Sequence, residues 1–149
     1  MSGDLIIRPV TAQDQTAWKR LWSGYLEFYQ QRIDESVYET AFERLLSDDL
    51  HEFQGLIAEL DGTPVGLAHF LFHRFLWSVE DTCYLLDLYC DPGCRGTGVG
   101  RALIEAVHDV ARQAGIPGTY WMTQENNYRG RMLYDSVGEK TPFIVYEKH

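Results

Sequence analysis

Apolar and polar positions along the chain fall into blocks of different period, and each block predicts an element. Leu5, Ile6 and Ile7, followed by Arg8 and Pro9, predict a short strand ended by proline. Residues 11–14 (Thr-Ala-Gln-Asp) have the form of a helix start with Thr11 as cap. Trp18, Leu21, Trp22, Tyr25, Phe28 and Tyr29 then recur at three- and four-residue spacing, which predicts a helix to about Tyr29 with an aromatic face turned inward. The run Ser36-Val37-Tyr38-Glu39 reads as a capping box opening a second helix, carried by Val37, Ala41, Leu45 and Leu46. Residues 53–60 and 64–75 are strand-like runs around Asp61-Gly62, a hairpin-turn pair, and residues 82–90 form a third run ended by Asp91-Pro92-Gly93. These three runs predict an antiparallel meander.

From Gly98 the period changes. Val99, Leu103, Val107, Val110, Ala111 and Ala114 make a helical stripe that stops at Gly115 with Pro117 beyond it. Residues 118–122 predict a strand, residues 127–137 a short helix, and Phe143, Ile144, Val145 and Tyr146 a last strand. No repeat, low-complexity tract or linker interrupts the sequence, so residues 1–149 are expected to form a single domain.

Charge narrows the partners. The net charge is −9, which argues against nucleic acid because phosphate neutralisation needs clustered Lys and Arg. The imbalance is local: residues 1–94 hold 6 basic and 16 acidic side chains, residues 95–149 hold 7 and 6. An acidic first half suits a cationic ligand as well as plain solubility. No apolar run is long enough to cross a membrane, and Met1-Ser2-Gly3-Asp4 lacks the basic flank and apolar stretch of a signal peptide, so a cytoplasmic location without membrane contact is expected. Cys83, Cys90 and Cys94 form neither a CxxC pair nor half of a usual zinc site, and His51, His69 and His73 have no metal-ligand spacing; no metal is expected.

The chemistry lies at residues 95–100. A strand ending at Cys90, a glycine-rich turn and a helix starting near Gly98 gather several backbone N–H groups at a positive helix end, which is an anion site. Gly96, Gly98 and Gly100 remove side chains that would hold a pyrophosphate away, and Arg95 and Arg101 can add charge at its rim. A Walker loop is excluded, since no Gly-Lys-Ser/Thr follows, and a dinucleotide-binding loop would normally follow an early strand.

The run Arg95-Gly96-Thr97-Gly98-Val99-Gly100 resembles the Arg/Gln-x-x-Gly-x-Gly/Ala signature of the GCN5-related N-acetyltransferases. Tyr120-Trp121-Met122-Thr123 and the run from Asn127 to Tyr134 resemble that family's next strand and its Asn-x-x-Ala/Gly-x-x-Leu-Tyr helix. With Leu85-Leu86-Asp87-Leu88-Tyr89, the likeness is to the small diamine and histone-acetylating members, and residues 1–50 match only in pattern. The resemblance implies an α/β fold: a mixed sheet of six or seven strands, an antiparallel meander followed by a parallel pair at the coenzyme A site, with about four helices. It implies that acetyl-CoA is the co-substrate, held along the backbone of Leu88, Tyr89 and Cys90 and by the amides of Arg95, Gly96, Thr97, Gly98, Val99 and Gly100, with Asn127 also in contact. It further implies that Tyr134 protonates the departing thiolate and that the chain is a homodimer. The apolar residues 143–146 could pair across a two-fold axis.

An attacking amine must be neutral. A lysine-like amine lies about 3.4 pH units from that state at neutrality, a cost of about 4.6 kcal/mol. Asp87, a carboxylate in an otherwise apolar run beside the thioester-binding backbone, is the leading candidate to take the proton, and pairing with Arg129 or Arg131 is its structural alternative. Several relatives carry Glu or Gln where this chain has Leu86, so a base at that position is missing; Glu125 is a weaker alternative. Trp22, Tyr25, Glu27 and Tyr29, with His73 and Trp77, could line an acceptor pocket in which aromatic faces hold a cation. The expected reaction is acetyl transfer to the amine of a small molecule. Protein lysine acetylation and a non-catalytic sensor that only binds coenzyme A are the alternatives.

Overall fold

The computed structural model describes residues 3–149; Met1 and Ser2, part of the segment that reads as unlike a signal peptide, lie outside the described residues. The chain runs β1 (Leu5–Pro9), a 3-10 turn (Ala12–Asp14), α1 (Gln15–Phe28), α2 (Glu35–Leu45), β2 (Gln54–Leu60), β3 (Thr63–His73) and β4 (Thr82–Cys90). A second 3-10 turn (Pro92–Cys94) leads to α3 (Val99–Gln113), β5 (Thr119–Trp121) and α4 (Tyr128–Val137). The sheet has the order β1-β2-β3-β4-β5, antiparallel from β1 to β4 and parallel between β4 and β5. No helix among the described residues is long and apolar enough to cross a membrane.

Local chemistry sets these elements. Asp61 and Gly62 both have positive φ (53° and 80°), the mirror-image turn whose twist matches the strands it joins, so the predicted hairpin closes tightly between β2 and β3. Alternation then sends successive side chains to opposite faces of the sheet. Ala58, Ala68, Phe70, Phe72 and Leu85 meet the α3 stripe of Val99, Leu103, Ile104, Val107 and Ala111 on one face. Ile57 and Leu67 meet Trp18, Leu21, Phe42 and Leu45 from α1 and α2 on the other. Each such side chain, taken fully from water, stabilises the fold by about 1.5–3 kcal/mol.

A charge cluster fixes where α1 starts. Arg8 on β1 grips both carboxylate oxygens of Asp14 (2.7 and 2.8 Å) and also donates to Glu59 on β2 (2.6 Å). Asp14 in turn accepts from the Thr11 N–H (2.7 Å) and hydroxyl (3.0 Å), so the predicted cap is reinforced from beyond the helix. The hydrogen bonds from Arg8 hold the buried Asp14 carboxyl at about 2, against its burial, and the same contacts push the guanidinium up.

Two expectations are corrected. The second helix begins at Glu35 behind an extended Asp34, one turn boundary earlier than the Ser36 capping box, and Ser36 is an exposed residue of its first turn. Among the described residues the sheet has five strands rather than six or seven, because Phe143, Ile144, Val145 and Tyr146 form no strand and lie between 67 and 88 % exposed. Their apolar run suits a strand, but Pro142 lacks an N–H, and a cavity lined by Phe143, Ile144 and Val145 on one side and by Thr119, Tyr120 and Trp121 on the other separates the segment from β5.

The Asp14 carboxyl sits below its ordinary value of 3.8, so its contribution is complete above about pH 4 and fades as pH falls toward 2. Asp14→Asn is expected to lose about 1–3 kcal/mol at neutral pH. Urea melts of both proteins should show this gap narrowing below pH 4; a gap constant with pH would remove Asp14 as its source.

Candidate active site

Strand β4 carries one residue more than its neighbour can pair. His69 lies opposite Asp87 and Phe70 opposite Leu85, which leaves Leu86 as a bulge. The surplus residue shifts the alternation: Cys83, Leu85, Leu88 and Cys90 face the α3 core, while Asp87 meets His69 and Tyr89 packs on the α1 side. Without the bulge Asp87 would share a face with Leu85, among apolar side chains. The same strand parts from β5. Pairing covers only Cys83–Thr119, Tyr84–Tyr120 and Leu85–Trp121, so beyond Leu85 the β4 edge has no strand beside it. Leu88 and Cys90 therefore present backbone N–H and C=O groups to that side, suited to an extended amide chain, while the backbone of Tyr89 turns to β3.

At the end of β4 the glycine loop is built as an anion cradle. Gly96 and Gly98 have φ of 79° and 87°, which side chains rarely adopt, and a Cβ added at either meets nothing within 4 Å. Among the described residues, the amides of Gly96, Gly98, Val99, Gly100 and Arg101 find no acceptor, while Thr97 bonds back to the Cys94 carbonyl. Five free N–H groups at the head of the 15-residue α3 have the chemistry that an anion such as pyrophosphate needs. Arg95 is exposed there; Arg101 is turned to the Ser136 hydroxyl (2.7 Å), joining α3 to α4. Asn127 caps α4, its Oδ1 accepting from Gly130 N–H (3.2 Å) and its Nδ2 donating to Thr123 Oγ1 (2.9 Å), so its side chain shapes the helix start beside the groove.

Tyr134 on α4 stands edge-on to Trp121, with ring centroids 5.8 Å apart. Burial, with the neighbouring Tyr29, pushes its phenol up, so it is a protonated donor at neutral pH. Asp87 lies on β4. Its Oδ2 meets His69 Nδ1 at 2.8 Å, so its partner is a histidine of β3 and neither Arg129 nor Arg131; the Arg131 guanidinium donates to the Glu125 carbonyl at 2.6 Å. Burial and the Asp87 charge push the phenol of Tyr25 up, placing that ring beside the carboxylate. Tyr84 is stacked on Tyr120 (4.7 Å, 6°), and Tyr120 reaches His73 Nε2 through its hydroxyl (2.7 Å).

The structure thus brings Tyr25 beside Asp87 and Tyr29 near both Tyr25 (ring centroids 5.1 Å apart) and Tyr134, with His73 at the far end of β3. Glu27 is exposed on α1 and Glu125 is exposed in the turn before α4. Trp77 is 83 % exposed in the β3–β4 loop, its ring near Phe75 alone (5.7 Å). Trp22 lies edge-on to His69 (5.5 Å), its indole N–H buried without an acceptor. Sequence reasoning missed His69, Tyr84 and Tyr120 as site residues. The one available signal was a polar residue inside the apolar run around Ala68 and Phe70. Among the described residues, no group of three His, Cys, Asp or Glu side chains is placed to hold a metal ion.

Gly98→Val puts a branched side chain where phosphate must approach and strains a left-handed residue. Calorimetry on the folded variant is expected to show acetyl-CoA affinity at least about tenfold weaker; unchanged affinity would move the cofactor elsewhere.

Comparison with known proteins agrees with this geometry. Residues 18–138 match the Acetyltransferase (GNAT) family model. The chain is 33 % identical over 146 residues to the D-amino-acid N-acetyltransferase HPA3 of Saccharomyces cerevisiae, covering 97 % of this chain and 91 % of that protein. It is 28 % identical over 147 residues to the aminoglycoside N(6')-acetyltransferase type 1 of Stenotrophomonas maltophilia, covering 94 % and 90 %. Among solved structures, AAC(6')-Iy in complex with a bisubstrate analogue superposes with a TM-score of 0.86 at 19 % identity, over 98 % of each chain. With its glycine cradle, open β4 edge and half-buried Tyr134, the chain belongs to the acetyltransferase (GNAT) family and is an acetyl-CoA-dependent acyltransferase.

Proposed function

We propose that this single domain transfers the acetyl group of acetyl-CoA to a primary amine of a small molecule (a polyamine, a diamine or an amino-acid-like compound) by direct attack in a ternary complex. The observation that supports this reading is Asp87 on β4 with Tyr25 beside it and Tyr29 near both Tyr25 and Tyr134. The relatives named for D-amino acids and aminoglycosides support a small acceptor.

In this reading the backbone of Leu88 and Cys90 pairs with the pantetheine arm, and the amides from Gly96 to Arg101 hold the pyrophosphate. The acceptor enters as an ammonium drawn by the acidic wall, with Tyr25 and Tyr29 around it. Asp87 takes its proton, directly or through one water, which offsets the about 4.6 kcal/mol cost of freeing the lone pair. The amine nitrogen then bonds to the acetyl carbon, the carbon–sulfur bond breaks and the thiolate takes the Tyr134 proton; the second proton, which the nitrogen sheds as it becomes an amide, passes through water to restore the phenol. Three free thiols suit a reducing compartment, and we place the protein in the cytoplasm.

A thiol-release assay with acetyl-CoA against polyamines, amino acids, aminoglycosides and basic peptides tests the acceptor class. Turnover confined to basic peptides would replace the small-molecule reading by protein lysine acetylation. Tyr134→Phe is expected to lower kcat by about 10- to 100-fold while acetyl-CoA binding stays within about twofold; full activity would leave Tyr134 as packing.

We also propose a homodimer, supported by the exposed apolar residues 143–146, which bear an unpaired backbone. Light scattering at micromolar concentration should then report twice the chain mass of 17.2 kDa, and a monomer mass would count against it.

A further inference from the structure

The group behind Asp87 is a buried histidine whose proton is assigned by its other neighbour. Trp18 Nε1 lies 2.8 Å from His69 Nε2. An indole N–H only donates, so Nε2 is the accepting nitrogen and carries no proton. The ring proton is therefore on Nδ1, which donates to Asp87 Oδ2 across 2.8 Å. Trp18 and His69 are both buried, and the Trp22 ring stands edge-on to the imidazole. The Asp87 side chain keeps 19 % of its surface, against 7 % for His69. The chain Trp18–His69–Asp87 thus leads from the α1 core to the cleft and ends on the carboxylate.

We propose that His69 is the positioning residue of the acetyl transfer: locked as the Nδ1–H tautomer by Trp18, it pins Asp87 Oδ2 and so presents Oδ1 to the acceptor amine. This rests on the reading that Asp87 takes the amine proton. A lone carboxylate turns freely about its last bond, and a fixed plane is what a proton acceptor within hydrogen-bond reach requires. His69 does not relay the proton. Its Nδ1 already carries a proton and its Nε2 accepts from an indole N–H, so the ring has no free nitrogen to take a proton from Asp87, and the amine proton stays on Asp87 until it leaves to solvent. The nitrogen–hydrogen bond of the amine breaks, the oxygen–hydrogen bond at Oδ1 forms, and the imidazole is unchanged throughout.

The test compares His69→Leu, His69→Asn, Asp87→Asn and the Asp87→Asn/His69→Leu double variant. Leucine fills the site without a donor and should lower kcat/KM for the amine about tenfold or more, with KM for acetyl-CoA within about twofold. Asparagine can place an N–H near the lost Nδ1 and should recover most of that loss. The double variant should be no worse than Asp87→Asn, because a residue acting only through Asp87 has nothing left to position. Nitrogen NMR of the wild-type protein between about pH 6 and 9 should find the His69 proton on Nδ1. A proton on Nε2, equal loss in the leucine and asparagine variants, or multiplying losses in the double variant would overturn the inference. If Asp87→Asn is fully active, the base reading falls and this inference with it. If Asp87→Asn is crippled while His69→Leu matches wild type, only the positioning role falls. Where His69→Leu does not fold, the asparagine variant and the NMR measurement still decide.

Discussion

Between Leu85 and Asp87 the central strand carries one residue more than β3 can pair, and the layout of the site follows from that surplus. A strand normally gives every second side chain to one face. Here Leu85 and Leu88, three apart, both enter the α3 core, while Asp87 turns to His69 and the α1 wall. Past the same point β5 no longer pairs with β4. One strand therefore holds an unpaired backbone edge and a carboxylate close together, the two features that the proposed reaction assigns to the cofactor and to the acceptor.

The two cores hold that arrangement from either side. On one face the buried stripe of α3 sits over β3 and β4, and because the helix is anchored by Val99 and Leu103, its N-terminal amides are fixed over the end of β4. On the other face α1 packs Trp18 and Leu21 against the sheet, with its start held by Arg8, Asp14 and Glu59. The first helix brings Tyr25 and Tyr29 toward the cleft, so a charge cluster at its beginning bears on the geometry of aromatic side chains three turns later. Packing, not propensity, sets these positions.

What was legible in the sequence was local. The α3 stripe, its stop at Gly115, the Asp61-Gly62 hairpin and the glycine loop each follow from spacing and from residues whose positive φ has a sequence signature. The family resemblance was carried by residues 95–100 and 127–134, and the fold agrees with it. The bulge was not legible, because an extra residue in a strand appears only against the register of its neighbour. The His69–Asp87 contact was hidden for the same reason: the partners lie 18 residues apart, across a loop and that bulge. Asp87 stood out as a carboxylate in an apolar run, yet the run alone offered Arg129 and Arg131 as readily as a histidine. Residues 143–146 show the opposite failure, since they have the apolar run of a strand and, among the described residues, pair with none.

The central claim is that β4 places the thioester on its open edge and the proton acceptor at Asp87, next to it in the chain. A crystal structure with a compound joining coenzyme A to a primary amine through the acetyl carbon tests it most directly. The account predicts pantetheine amides paired with the backbone of Leu88 and Cys90, pyrophosphate on the amides from Gly96 to Arg101, and Asp87 Oδ1 within about 2.6–3.2 Å of the transferred nitrogen or of one water bonded to it. A nitrogen on the far side of the cleft from Asp87, with another carboxylate or only bulk water beside it, would contradict the account.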